Sequence, residues 1–210
     1  MIYDVMKARR SIRQFRSDPP SRDEIMRLIE AAVTAPSASN KQPWRFLVIS
    51  KPSAIQDLAA GVRAAVDRIA QSIEPESESS FRAYGDYFTR FENAPVVIAV
   101  LFRSLTLLSH LAGDNLTPDE RRQVLRMERD SGLIGSAMAM QNLLLMAADT
   151  GLGASGMTGP LIADDQIRRI LDIAPSWELA ALIPVGYPAE EPPPTERKPA
   201  ERVVTWIEQP

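Results

Sequence analysis

The stretch Arg9-Arg10-Ser11-Ile12-Arg13-Gln14-Phe15 places three arginines and a hydroxyl within five residues, between apolar Ile12 and Phe15. Guanidinium groups are planar forks that match phosphate oxygens in bidentate fashion, so this density suits an anionic ligand. A solvated, basic helix end is the other reading of the same residues. A second polar concentration follows at Ala35-Pro36-Ser37-Ala38-Ser39-Asn40-Lys41-Gln42-Pro43-Trp44. It is a connector by composition, and its hydrogen-bonding side chains beside an aromatic also suit a ligand loop. Further cations, Arg197 and Lys198, sit in a proline-rich stretch from Glu190 to Pro199 that should be extended.

Composition removes several chemistries. The chain has no cysteine, which excludes disulfides, thiolate metal sites, iron–sulfur clusters and cysteine nucleophiles. His110 is the only histidine, which argues against a catalytic triad or a histidine-based metal site. A net charge of −3 argues against a nucleic-acid binder, so the N-terminal arginines are a local device. Apolar runs such as Pro95 to Phe102 are too short to cross a bilayer, and no apolar h-region follows the N-terminal charges. The expectation is a cytoplasmic, soluble protein without a membrane or nucleic-acid partner. At 210 residues, without a repeat or linker, it reads as one domain.

Elements that could position these residues follow in order. Ile2 to Ala8 can form a short helix. Ser21-Arg22-Asp23-Glu24 has the form of a capping box, and Ile25, Leu28, Ile29, Ala32 and Val33 continue at helical spacing until Pro36. Arg45 to Ile49 reads as a buried strand, Pro52 to Ile73 as a helix, and Glu74 to Ser80 as a mobile surface turn. Phe81, Tyr84, Tyr87, Phe88 and Phe91 form an aromatic stripe suited to a core, and Val96 to Leu101 a second buried strand. Arg103 to Thr117 reads as a lid or an excursion. Thr117-Pro118-Asp119-Glu120 starts a helix, and Gly132 to Thr150 forms a further, nearly uncharged helical run whose small residues permit close packing in a core or at a dimer seam. Gly151-Leu152-Gly153-Ala154-Ser155-Gly156 matches a dinucleotide fingerprint in letters only, because that fingerprint needs a strand before it and a helix directly after it. Ala163 to Leu171 suits a short helix, Leu179 to Tyr187 a strand, and Val203 to Ile207 an apolar tail that must find cover.

Four separated features, Arg-Arg-Ser-Ile-Arg-x-Phe, Ala-Pro-Ser-x-x-Asn-x-Gln-Pro-Trp, the Gly-Leu-Gly loop, and Gly-Tyr-Pro ahead of a basic arm, together resemble the FMN-dependent nitroreductase family. The resemblance covers essentially the whole chain and is weakest between Gln71 and Asp130. It implies an α+β fold with a central, mainly antiparallel sheet flanked by helices. It also implies an intertwined homodimer in which a C-terminal arm, about residues 190–210, packs on the partner subunit. Carried over by position, Arg9, Arg10, Ser11, Arg13 and Arg197 would hold the phosphate and polar side of FMN. Ser37, Ala38, Asn40 and Gln42 would reach the flavin from the partner subunit, and backbone N–H groups at Thr158 and Gly159 would face the ring near N5. Where family members often carry a second basic residue near the start of the arm, this chain has Thr195, and Lys198 is the neighbouring cation. The resemblance implies an enzyme in which NAD(P)H reduces FMN by hydride transfer and a nitroaromatic, quinone or similar electron-poor small molecule then takes the electrons, in ping-pong order. It assigns no catalytic side chain and no metal. Reductive dehalogenation, oxygen-dependent flavin conversion, and FMN binding without turnover are the alternatives on the same scaffold.

Overall fold

A computed structural model describes residues 1–207, so residues 208–210, the end of the expected arm, lie outside the described residues. Helix α1 (Ile2–Ala8) leads to α2 (Arg22–Val33), whose start is the expected capping box. The Ser21 side chain accepts the Glu24 N–H at 3.2 Å, and the Glu24 carboxylate accepts the Ser21 N–H at 2.8 Å. Strand β1 (Trp44–Ile49), helices α3 (Pro52–Ala70) and α4 (Pro75–Gly85), and strand β2 (Val96–Phe102) follow. Then come a short α5 (Leu108–Ala112), the long α6 (Pro118–Asp149), β3 (Gly153–Ala154), α7 (Asp164–Ile170) and β4 (Glu178–Gly186).

The four strands form one sheet in the order β1-β2-β4-β3, antiparallel throughout. β2 is buried along its whole length, and its alternation divides the core in two. Val96, Ile98 and Val100 face Leu28 and Ala32 of α2 and Leu143 and Ala147 of α6. Val97, Ala99 and Leu101 face Leu58 and Val62 of α3, Phe91, and Ile167 of α7. Helices therefore cover both faces of an antiparallel sheet, and the chain is of the α+β class. Each fully buried Leu, Ile, Val or Phe contributes about 1.5–3 kcal/mol over its exposed state.

Several sequence expectations need correction. Residues 75–80 are helical, the first turns of α4, because Pro75 occupies a first-turn position and Glu76 and Glu78 lie in the first turn. β1 is an edge strand and not a buried one: Arg45 is exposed and Val48 is 48% exposed. The two helical runs around Asp130 are one continuous helix of 32 residues, and α3 stops at Ala70. α6 is long and apolar enough to cross a membrane by length and composition alone, against the expectation that no segment would be. In the fold it packs on α2 and the sheet. The aromatic stripe divides, with Phe91 fully buried, Phe81 and Phe88 half-buried, and Tyr84 and Tyr87 exposed. Gly151 ends α6 and a two-residue strand follows, so the glycine pattern opens no helix. Among the described residues nothing covers the tail, with Trp206 81% and Ile207 98% exposed.

The Ser21 hydroxyl and backbone, followed by the Tyr187 hydroxyl, hold the Glu24 carboxyl below its ordinary value of 4.5. Its contribution to stability is therefore present above that value and is lost as pH falls through the lower folded value. Ser21→Ala is expected to cost about 1 kcal/mol, lowering Tm by roughly 2–4 °C in thermal unfolding at neutral pH.

Candidate functional site

The arginine segment leaves α1 as an extended chain against the sheet's β3 side. The Ile12 N–H donates to the Ala154 carbonyl at 3.2 Å, and Ile12 is buried. It rests on Gly153, where an added Cβ would lie 2.7 Å from Ile12 Cγ2, so the close approach depends on glycine at that position. With Ile12 turned inward, period-two alternation leaves Ser11 and Arg13 half-buried on the other side. The Arg16 N–H bonds the Tyr187 carbonyl at 2.9 Å and the Ala189 N–H bonds the Gln14 carbonyl at 3.0 Å, which lays the start of the C-terminal arm alongside. Glu190, which the sequence did not mark, completes this contact. Its Oε1 accepts the Arg13 N–H at 2.7 Å and the Gln14 N–H at 3.1 Å. The only local signal was an acid pair, Glu190-Glu191, at the head of a basic arm.

Arg10 folds back over the end of α1, where its Nη1 donates to the carbonyls of Lys7 (2.7 Å), Ala8 (2.9 Å) and Arg9 (3.0 Å). That is a C-terminal cap, and it leaves the remaining nitrogens for other partners. Arg13 Nη1 donates to the Ser11 carbonyl at 3.3 Å. Burial, then Arg197, then Arg10 lower the affinity of the Arg9 guanidinium for its proton. The two ends of the chain thus bring like charges together. Among the described residues no carboxylate forms a salt bridge with Arg9, Arg10, Arg13 or Arg197. A phosphate fits this set, because each charge-assisted donor contributes about 1.5–3 kcal/mol and the anion relieves their repulsion. The adjoining groove, of about 1080 Å³, is lined by both signs of charge, Asp4, Asp149, Glu190 and Glu191 as well as Arg9, Arg10 and Arg16.

The polar loop is held in an unusual shape. Ser39, Asn40 and Gln42 have φ of 50°, 51° and 47°, in the left-handed region that non-glycine residues seldom adopt. Ser37 Oγ accepts the Gln42 N–H at 2.9 Å, Gln42 Nε2 donates to Asn40 Oδ1 at 3.3 Å, and the Asn40 N–H donates to the Ser37 carbonyl at 2.9 Å. Ala38, Asn40 and Gln42 are exposed, while Ser37 packs with Pro43 against α6 at Gly135. Among the described residues no hydrogen bond joins this loop to Arg9–Arg13 or to Thr158–Gly159.

Thr158 and Gly159 follow β3 beyond Met157, which pairs with Leu182 of β4. Thr158 is exposed, half-buried Gly159 lies against the Phe88 ring, and neither N–H donates a hydrogen bond among the described residues. A cavity of about 740 Å³ opens beside the polar loop, lined by Ala38, Ser39 and Lys41, by residues 103–108, and by Met127, Glu128 and Ser131 of α6. Arg103 stacks over Trp177 at 5.4 Å. His110 is exposed on α5.

The chain belongs to the nitroreductase family, whose family model matches residues 6–187. It is 31% identical to an NADH dehydrogenase of Thermus thermophilus, over 94% of this chain and 92% of that one. It is 29% identical to a 5,6-dimethylbenzimidazole synthase of Rhodospirillum rubrum, over 88% and 81%. Among solved structures, a BluB-like flavoprotein from Clostridium difficile superposes with a TM-score of 0.88 at 24% identity, over 99% of both chains. A nitroreductase with bound FMN from Desulfitobacterium hafniense superposes at 0.71 with 20% identity, over 99% and 98%.

Gly153→Ala is expected to displace Ile12 and with it the arginine segment, costing about 1–3 kcal/mol. The measurements are chemical denaturation and amide exchange at Ile12, with exchange in β2 as the control.

Proposed function

We propose that this chain is an FMN-dependent oxidoreductase that takes electrons from NAD(P)H and passes them to a nitroaromatic, a quinone or a similar electron-poor acceptor. The observation that carries the reading is the convergence of Arg9, Arg10 and Arg197 without a carboxylate partner among the described residues, in a chain of the nitroreductase family. When bound, FMN supplies the chemistry, accepting a hydride and later delivering the electrons to the acceptor. The chain's own residues bind and orient it. Arg9, Arg13 and Arg197, with the nitrogens of Arg10 not used in capping, hold the phosphate, and Ser11 joins them on the polar side. The Thr158 and Gly159 N–H groups offer donors to the ring. The resemblance to named NAD(P)H-linked relatives supports the choice of reductant.

The functional unit in this reading is a homodimer. Met127, Ile134 and Met138 form an exposed apolar stripe on α6, and Val203, Val204, Trp206 and Ile207 are an exposed apolar tail. A second copy would cover both, and would bring its Ser37–Gln42 loop to this chain's arginines. Oxygen-dependent flavin conversion is the second reading, favoured by the likeness to 5,6-dimethylbenzimidazole synthase.

Protein reconstituted with FMN is expected to be yellow and to bleach anaerobically on mixing with NADH or NADPH, and to recover its colour when a quinone or nitroaromatic is added. Bound flavin that neither nicotinamide bleaches would overturn the reading. Loss of the flavin itself when the reduced protein meets oxygen would favour the second. Arg13→Ala and Arg197→Ala are each expected to weaken FMN binding by about one to two powers of ten, measured by flavin fluorescence titration. Full retention in both would show that the phosphate lies elsewhere.

A further inference from the structure

α6 carries a buried carboxylate with no role in the reading above. Glu128 is 2% exposed, and its Oε2 has no hydrogen-bond partner among the described residues. Its Oε1 accepts the Ser109 N–H at 3.1 Å, and its own carbonyl accepts the Leu105 N–H at 3.2 Å. Burial raises the carboxyl, but Ser109 and the N–H groups of Leu108 and Leu107 outweigh it, so the group stays ionised below the ordinary carboxylate range. The charge therefore faces the start of α5.

The other end of α5 is held from the same helix. Arg121 Nη2 donates to the Gly113 carbonyl at 2.6 Å and to Asp114 Oδ1 at 3.0 Å. Residues seven apart share one face of a helix, so α6 presents an anion to the N-terminal end of α5 and a cation to its C-terminal end. One turn beyond Glu128, Gly132 meets the Arg103 carbonyl so closely that a Cβ could not fit, which sets where the chain leaves β2.

Between these holds, the segment has little else to fix it. α5 has five residues and buries none of them, and Leu107, Leu108 and Leu111 are exposed. A helix of that length has no stability of its own. The two anchors differ in kind: Glu128 is buried in the wall of the cavity beneath the segment, whereas Arg121 pairs with a fully exposed Asp114, and such surface pairs contribute little.

We propose that Glu128 is a positioning residue, whose carboxylate clamps residues 103–114 as a strap along the cavity beside Ala38, Ser39 and Lys41 and thereby selects which acceptors enter. The strap pivots at Glu128 and releases at Arg121. Its role in acceptor choice rests on the oxidoreductase reading, whereas the clamp itself does not.

The test uses the FMN-reconstituted protein. In Glu128→Gln the amide oxygen can still accept the Ser109 N–H, but the negative charge that faces the start of α5 is removed. Amides 105–111 should then exchange about tenfold faster by hydrogen-exchange mass spectrometry, with β2 amides unchanged. Arg121→Ala should speed exchange only around residues 111–115. With 1,4-benzoquinone and 9,10-phenanthrenequinone as compact and bulky acceptors, Glu128→Gln should raise the kcat/KM ratio of bulky over compact about fivefold. Unchanged exchange at 105–111, or equal effects on both quinones, overturns the proposal. If the wild-type protein reduces neither quinone while Glu128→Gln still loosens 105–111, the clamp stands and the oxidoreductase reading falls.

Discussion

The fold depends on β2 being buried on both faces. A strand of seven apolar residues with no solvent side must be covered twice, and α2 with α6 cover one face while α3 and α7 cover the other. Backbone pairing then places β1 and β4 beside it, which leaves β1 and β3 as the edges. The candidate functional pieces sit at the ends of these strands or along their edge. The Ser37–Gln42 loop precedes β1, Arg103–Ser109 follows β2, Ser155–Gly159 follows β3, and the arginine segment runs beside β3. Loops at strand ends can change residue type without disturbing the core, so a rigid sheet can carry several chemistries.

Charge is distributed with a similar division of labour. Glu190 lies beside the arginine segment and Glu128 on α6, and each directs an oxygen to backbone N–H. The acids thereby shape the chain without neutralising the guanidiniums of Arg9 and Arg197. Burial and mutual repulsion together leave that cluster electrostatically incomplete, which is the condition under which an incoming anion gains most.

What could be read from residue order alone was local. Ser21 with Glu24 as a capping box, and Thr117 as a cap followed by Pro118 and two acids, announce helix starts within four positions, and both helices start there. The apolar run after Pro95 announced β2, and the residues around Gly151 to Gly156 excluded a dinucleotide fold by their neighbours. Glu74 to Ser80 misled because serine and acid density mimics a turn, whereas Pro75 stands at the first positions of a helix. Val48 misled because an apolar strand does not reveal which strand lies at an edge. Glu128 and Glu190 were illegible for a different reason. An acid in a polar stretch carries no sign that a chain segment far away in sequence will bury it or supply its hydrogen-bond donors. The family resemblance offered the set of arginines, but only the fold shows Arg10 spending one nitrogen on the end of α1.

The three left-handed residues of the Ser37–Gln42 loop have a consequence for recognition. Each non-glycine residue in that region costs roughly 1–2 kcal/mol, and the cost is met when the chain folds, before anything touches the loop. Internal bonds from Gln42 to Ser37 and to Asn40 then keep the shape. A surface that meets the loop finds a template already set, so association carries little further ordering entropy there. Softening it with glycine would ease the backbone, and would return to each encounter the disorder that folding had removed.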